Sequence, residues 1–231
     1  MFSVTPSIDA SVATIAPGFR AISIVVEAAP ITRSEIASEF LARACKAVTS
    51  GEMPWAEAHL AAWAEAFKRF GAKPKRTPCS AEALRKRVLR DGFMAGIDPV
   101  VDLYNAVSIH YAVPVGGENF AAYAGQPRLT IADGTELFDT LKEGAPVEES
   151  PEPGEVIWRD DVGVTCRRWN WRQGVRTRLS AEATRMWFIL ESLPAMPLDM
   201  LHEAGDELIR GLEIMMPGAG IEKNLIGFDI S

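Results

Sequence analysis

The sequence predicts an α+β fold, with mixed and antiparallel β layers packed against helices in a single compact domain. Three observations carry that prediction. Helical patterns crowd the first half and strand patterns the second, instead of alternating as they do in doubly wound folds. At 48% hydrophobic and 24% charged residues, the 231-residue chain can bury one sizeable core. No internal repeat or convincing linker divides it, so residues 1–231 read as one unit.

The elements follow in order. Ala21-Ile22-Ser23-Ile24-Val25-Val26 is largely β-branched and bounded by Pro17-Gly18 and Pro30, which predicts an early buried strand. Thr32-Arg33-Ser34-Glu35 fits a capping box ahead of Ile36, Phe40, Ala44 and Val48, an amphipathic helix to about residue 49. Pro54 suits the first turn of a second helix bearing Trp55, Ala62, Trp63, Ala66 and Phe70, which Gly71 stops. After the loop 73–78, Ser80 is expected to cap a short basic helix over 81–90. Asp98-Pro99 opens a further helix, with Val100, Leu103, Tyr104, Val107 and Tyr111 on one stripe. Asp102 and Asn105 lie opposite, among enough apolar neighbours that both need partners. Pro114-Val115-Gly116-Gly117 ends that helix, and the paired glycines permit close approach to a ligand or another chain.

Strand patterns then dominate. Residues 128–132 run into Asp133-Gly134, a hairpin-type dipeptide, and 155–158 run into the turn Asp160-Asp161-Val162-Gly163. The return strand is expected over 164–170, with Cys166, Arg168 and Asn170 on one face and Arg167, Trp169 and Trp171 on the other. Residues 186–190 read as an apolar strand or a buried helix turn ending at Glu191. A closing helix is expected over 200–214, within a C-terminal segment 199–216, and a terminal strand over 224–230.

Several chemistries are set aside. Met1-Phe2-Ser3-Val4-Thr5-Pro6 places no basic residue before an apolar run, and the stretch 21–30 is about half of a ~20-residue span, so neither a signal peptide nor a membrane partner is expected. A cytoplasmic location is the expectation. Cys45, Cys79 and Cys166 are widely spaced and odd in number, which reads as free thiols. His59, His110 and His202 are dispersed, without metal-ligand spacing, and no phosphate-binding glycine loop is present, so no metal or cofactor is expected.

Charge is unevenly placed. The net charge is −7, yet nine basic residues against Glu82 give residues 67–90 a charge of +8, leaving −15 for the rest. Lys73, Lys75, Arg76, Arg85, Lys86 and Arg87 are the candidate RNA-contacting residues of that segment. A solvated basic helix face is the plainer reading. Cys166-Arg167-Arg168-Trp169-Asn170-Trp171-Arg172-Gln173 combines aromatic platforms, cations and amide edges, which suits nucleotide or carboxylate recognition. Its plainer reading is packing, with the tryptophans in the core and the arginines paired to the acidic tract 143–155.

One known family shares these motifs. Asp98-Pro99-Val100-Val101-Asp102-Leu103-Tyr104-Asn105-Ala106-Val107, followed by Pro114, resembles the Asn-x-Val-Val-Asp-x-Thr-Asn-Tyr-Val...Pro pattern in the tRNA-binding and editing domain of the phenylalanyl-tRNA synthetase beta subunit. Gly154-Glu155-Val156-Ile157, Asp161, Gly163, Arg168, Gly174, Ser180-Ala181-Glu182-Ala183-Thr184 and Glu191 resemble its second half, in order. The resemblance covers about 81–193, after a strand-helix portion over 1–80. It implies a pocket that binds the acceptor end of tRNA and removes a wrongly attached amino acid, with Glu191 as the acidic catalytic residue. Asn105, Gly116, Gly117, Arg167, Arg168, Asn170 and Arg172 would then contact substrate. Two departures stand out: the family's Pro-x-His has Gly116 at the His, and its Ala-Gly-Val-Met-Gly-Gly turn is replaced by residues 167–174. Three readings stay open: a trans-acting aminoacyl-tRNA deacylase, a non-catalytic tRNA-binding module, and a pocket for a free amino acid.

Overall fold

The computed structural model describes residues 4–51 and 53–228. Its helices are α1 (Val12–Ile15), α2 (Glu35–Ser50), α3 (Ala56–Arg69), α4 (Ser80–Asp91), α5 (Pro99–Tyr111) and α6 (Leu198–Met215). Its strands are β1 (Ser7–Ile8), β2 (Arg20–Glu27), β3 (Val115–Asn119), β4 (Arg128–Ile131), β5 (Phe138–Lys142), β6 (Ala145–Glu149), β7 (Val156–Arg159), β8 (Val164–Arg167), β9 (Arg172–Gln173), β10 (Arg185–Ser192) and β11 (Gly220–Gly227). None of the described helices is long and apolar enough to cross a membrane.

An antiparallel sheet, ordered β11-β2-β10-β3, divides the molecule. Its two central strands are apolar almost throughout because both faces are covered. Ile22, Ile24 and Val26 of β2, with Met186, Phe188 and Leu190 of β10, join one core with Phe40 of α2, Leu103 of α5 and Leu208 of α6. The alternate residues Ala21, Val25, Trp187 and Ile189 join a second core with Trp63 and Phe67 of α3 and with Leu129, Val156 and Trp158 of a second sheet. That second sheet is ordered β1-β4-β7-β8-β9 and is mixed, since β1 runs parallel to β4. Strands β5 and β6 form a separate hairpin.

Several local expectations are corrected by longer-range partners. No capping box forms: Ser34 is the N-cap of α2 without a side-chain cap bond, and Thr32 N–H instead donates to Met215 O across the chain. Cys79, not Ser80, is the N-cap of α4, which leaves the Ser80 hydroxyl without a partner. Asp98 does cap α5 as expected, accepting from Val100 and Val101 N–H. Asp133-Gly134 closes no two-residue hairpin, because β4 pairs antiparallel with β7, more than twenty residues on. The acidic tract contributes β6. The closing helix and terminal strand begin earlier than expected, at Leu198 and Gly220. The end of the expected terminal strand, Asp229 and Ile230, and the leading Met1, Phe2 and Ser3 lie outside the described residues.

Candidate functional site

Period-two geometry builds the floor of a cavity on the second face of the dividing sheet. Trp187 pairs with Glu118 and Ile189 with Gly116, while Glu191 N–H donates to Pro114 O at 2.9 Å, so Glu118, Gly116, Trp187, Ile189 and Glu191 share one face. All five line a cavity of about 270 Å³. Its walls come from Ser80 of α4, Tyr104 and Asn105 of α5, Trp158 and Cys166 of the second sheet, and Trp169, Asn170, Trp171 and Gln173 of the segment that follows.

That segment departs from the expected straight strand. β8 stops at Arg167, and Arg168 and Trp169 take positive φ angles of 46° and 65°. Such a backbone is costly for bulky residues and persists only where contacts hold it. Here Arg168 N–H donates to Glu155 Oε1 at 2.8 Å and Trp169 N–H to Val156 O at 2.6 Å. The alternation of faces is broken, so Trp169 and Asn170 both turn inward. Trp169 packs edge-on against Trp63, with ring centroids 5.1 Å apart.

Glu191 is 1% exposed and accepts three hydrogen bonds. Trp158 Nε1 and Trp169 Nε1 each donate to Oε1 at 2.8 Å, and Asn170 Nδ2 donates to Oε2 at 2.9 Å. Burial raises its pKa to about 7 against the opposing pull of those donors. Glu118, 4% exposed, is pushed up to about 8 by burial, and the neighbouring Thr177, Gln173 and Arg176 only partly offset this. Its Oε2 has no hydrogen-bond partner, nor has Asn170 Oδ1. Cys166, on the same cavity, has its thiol raised well above its ordinary value, chiefly by burial.

The remaining sequence-derived residues divide sharply. Asn105, Gly116, Gly117, Asn170 and Glu191 all line the cavity. A Cβ on Gly117 would lie 2.8 Å from Tyr104 Cε1, so this glycine makes room for a protein ring rather than for a ligand. Arg167 is drawn away into ion pairs with Glu155 (2.9 Å) and Glu149 (3.1 Å), the packing reading of that segment. Arg168 lies over the Trp171 ring at 4.6 Å, and Arg172 Nη2 donates to Leu141 O at 3.1 Å. Lys73 and Arg76 meet Arg168 around a separate depression that also includes Gly71 and Thr77. Lys75 and Arg87 are exposed, Lys86 pairs with Glu82, and Arg85 turns inward to donate to Ile109 O at 2.6 Å. Of the expected basic set, Lys73 and Arg76 thus share a depression with Arg168, Lys75, Lys86 and Arg87 face solvent, and Arg85 turns inward.

Glu118, Ser80 and Trp158 were missed, while Gln173, of the recognition segment, also lines the cavity. Reading Val115-Gly116-Gly117-Glu118 as a strand, not a loop, would have placed Glu118 beside Gly116 on the cavity face. His59 is buried and structural: its Nδ1 faces Ala112 O at 2.8 Å, while Nε2 accepts from Trp63 Nε1 and Leu193 N–H. Cys45, Cys79 and Cys166 are free thiols.

Residues 62–200 match the B3/4 domain, enclosing the stretch 81–193 that resembles the phenylalanyl-tRNA synthetase beta subunit. No curated protein matches the chain. Among solved structures it is similar to an N-terminal fragment of the phenylalanyl-tRNA synthetase beta subunit from Pyrococcus horikoshii, at 11% identity and a TM-score of 0.49. That match covers 98% of this chain and 55% of the fragment, so the chain spans little more than half of the fragment's length.

Proposed function

The chain belongs to the B3/4 domain family, and from that premise we propose that its cavity receives the aminoacyl end of tRNA and hydrolyses a wrongly attached amino acid from it. The observation that carries this reading is Glu191, a cavity carboxyl held by three N–H donors, with its pKa raised to about 7. A carboxylate of that basicity suits proton transfer near neutral pH.

In the proposed reaction a water oxygen bonds to the ester carbonyl carbon while Glu191 Oε2 takes the water's proton. The tetrahedral intermediate then collapses, the bond to the terminal ribose oxygen breaks, and that oxygen receives the proton from Glu191. The products are a free amino acid and an uncharged tRNA. The Gly117 amide is the donor offered to the developing oxyanion. Asn119 N–H already points off the open edge of β3 to Thr177 O, and alternation along the strand directs Gly117 N–H the same way.

Lys73, Arg76 and Arg168 would hold phosphates of the acceptor strand. Trp171 lines the cavity while Arg168, stacked on it, lines the basic depression, so the two concavities adjoin. A panel of mischarged tRNAs tests the reading: at least one should lose its amino acid faster with the protein than without, and Glu191→Gln should remove the gain. If every aminoacyl-tRNA survives yet tRNA is retained with steep salt dependence, the non-catalytic module replaces this reading. Gly116, standing where the resemblance expects a His, favours that second reading.

A further inference from the structure

Three buried polar atoms in one cavity lack any hydrogen-bond partner: Glu118 Oε2, Asn170 Oδ1 and Ser80 Oγ. Glu118 and Asn170 are themselves 4% and 8% exposed. Leaving such atoms unsatisfied is costly, so together they specify what a ligand must bring. Glu118, neutral at pH 7 in the empty cavity, becomes acceptor-only once a cationic group beside it favours the carboxylate. Asn170 presents its oxygen as well, because its Nδ2 is committed to Glu191 Oε2 at 2.9 Å. The Ser80 hydroxyl can accept a third bond. Among the described residues no Lys or Arg lines the cavity, and Arg176, which acts on Glu118 from outside the lining, only partly offsets its burial.

The walls point the same way. Trp158, Trp169, Trp171, Trp187 and Tyr104 surround the space, and aromatic faces attract cations while offering nothing to an anion. A carboxylate or phosphate would meet two buried carboxyl groups. A hydroxyl could donate one bond, whereas a primary ammonium has three N–H donors and a positive charge. The volume of about 270 Å³ is enough for that group on a small aromatic or branched aliphatic body.

We infer that this cavity, enclosed by indole rings, recognises its ligand through a primary ammonium group that Glu118 Oε2 accepts from, with Asn170 Oδ1 and Ser80 Oγ as the further unpartnered acceptors of its lining. The inference rests on the reading that the cavity is the ligand site. It assigns Glu118 to the amino group of the bound aminoacyl moiety and leaves Glu191 to the water.

The test uses no tRNA. The intact protein is titrated by calorimetry with 2-phenylethylamine and with its neutral isostere 2-phenylethanol, then repeated for Glu118→Gln and Ser80→Ala. The amine should bind about tenfold or more tightly than the alcohol, and Glu118→Gln should lose about that factor. Ser80→Ala should weaken the amine alone. Equal affinities for amine and alcohol overturn the inference, as does undiminished amine binding by a Glu118→Gln protein with a native circular dichroism spectrum. If that variant does not fold, the amine-to-alcohol ratio and Ser80→Ala decide the matter. A protein that binds the amine yet spares every aminoacyl-tRNA keeps this inference and loses the deacylase. One that deacylates tRNA but ignores the amine does the reverse.

Discussion

Trp169 Nε1 donates to Glu191 Oε1 at 2.8 Å, twenty-two residues away, from a residue whose backbone is left-handed at a φ of 65°. The bond ties the loop between β8 and β9 to the dividing sheet. Because Trp158 shares the same oxygen, that carboxyl is both a structural junction and the general base of the proposed reaction.

Glu191→Ala should therefore destabilise the fold by about 3 kcal/mol, as two indole N–H groups and the Asn170 amide lose their buried acceptor. Glu191→Gln keeps an oxygen for the tryptophans and should cost clearly less, while lowering deacylation about 100-fold. Urea unfolding set beside single-turnover hydrolysis separates the two effects. Equal destabilisation by both substitutions would contradict the junction.

Stability should fall as pH rises from about 6.5 to 8.5. Burial raises Glu191 to about 7 and Glu118 to about 8, so the folded protein binds protons that the unfolded chain releases near 4.5. Their contribution is complete below 4.5 and disappears as pH climbs through 7 and 8. His59, lowered to about 4 chiefly by burial, acts oppositely, losing its contribution as pH falls from 6.5 toward 4. The alkaline decline is thus the clearer signal, and denaturant midpoints at pH 6.5 and 8.5 measure it. Glu118→Gln should flatten it.

Arg167 and Arg168 are neighbours with opposite expected phenotypes. Arg167→Met leaves Glu155, 3% exposed, with only Arg168 as its cationic neighbour and should cost about 3 kcal/mol of stability with little effect on RNA affinity per folded molecule. Arg168→Glu, Lys73→Glu and Arg76→Glu should weaken tRNA binding, each single change reducing the salt slope by about 1. Filter binding across a salt series distinguishes them, and an unchanged slope in all three charge reversals would remove this surface from consideration.

The adjacent glycines should also differ. A methyl at Gly117 meets Tyr104 Cε1 at 2.8 Å and Leu179 Cδ2 at 2.9 Å, so Gly117→Ala should cost about 1–3 kcal/mol. At Gly116 the nearest contact is Ile189 Cγ2 at 3.2 Å, and Gly116→Ala should fold nearly normally while narrowing the cavity. Thermal unfolding and amine titration together check the contrast.

Much of the fold was legible because local chemistry was strong and unopposed. Asp98-Pro99 capped its helix, the turn 160–163 joined β7 to β8, and the apolar runs at 21–26 and 186–190 became the central strands β2 and β10. The motifs resembling the phenylalanyl-tRNA synthetase beta subunit pointed to Glu191 and Asn105, and the Arg/Trp segment to Asn170, and all three line the cavity. What could not be read along the chain was decided by contacts between distant segments. The pairing of β3 with β10 put Glu118 on the cavity face that Glu191 also occupies, Glu155 removed Arg167 from the surface, and the left-handed step at Arg168 and Trp169 turned an indole inward. Periodicity specifies which residues share a face, but which faces meet, and so which buried acids and cations find partners, follows only when the sheets close on one another.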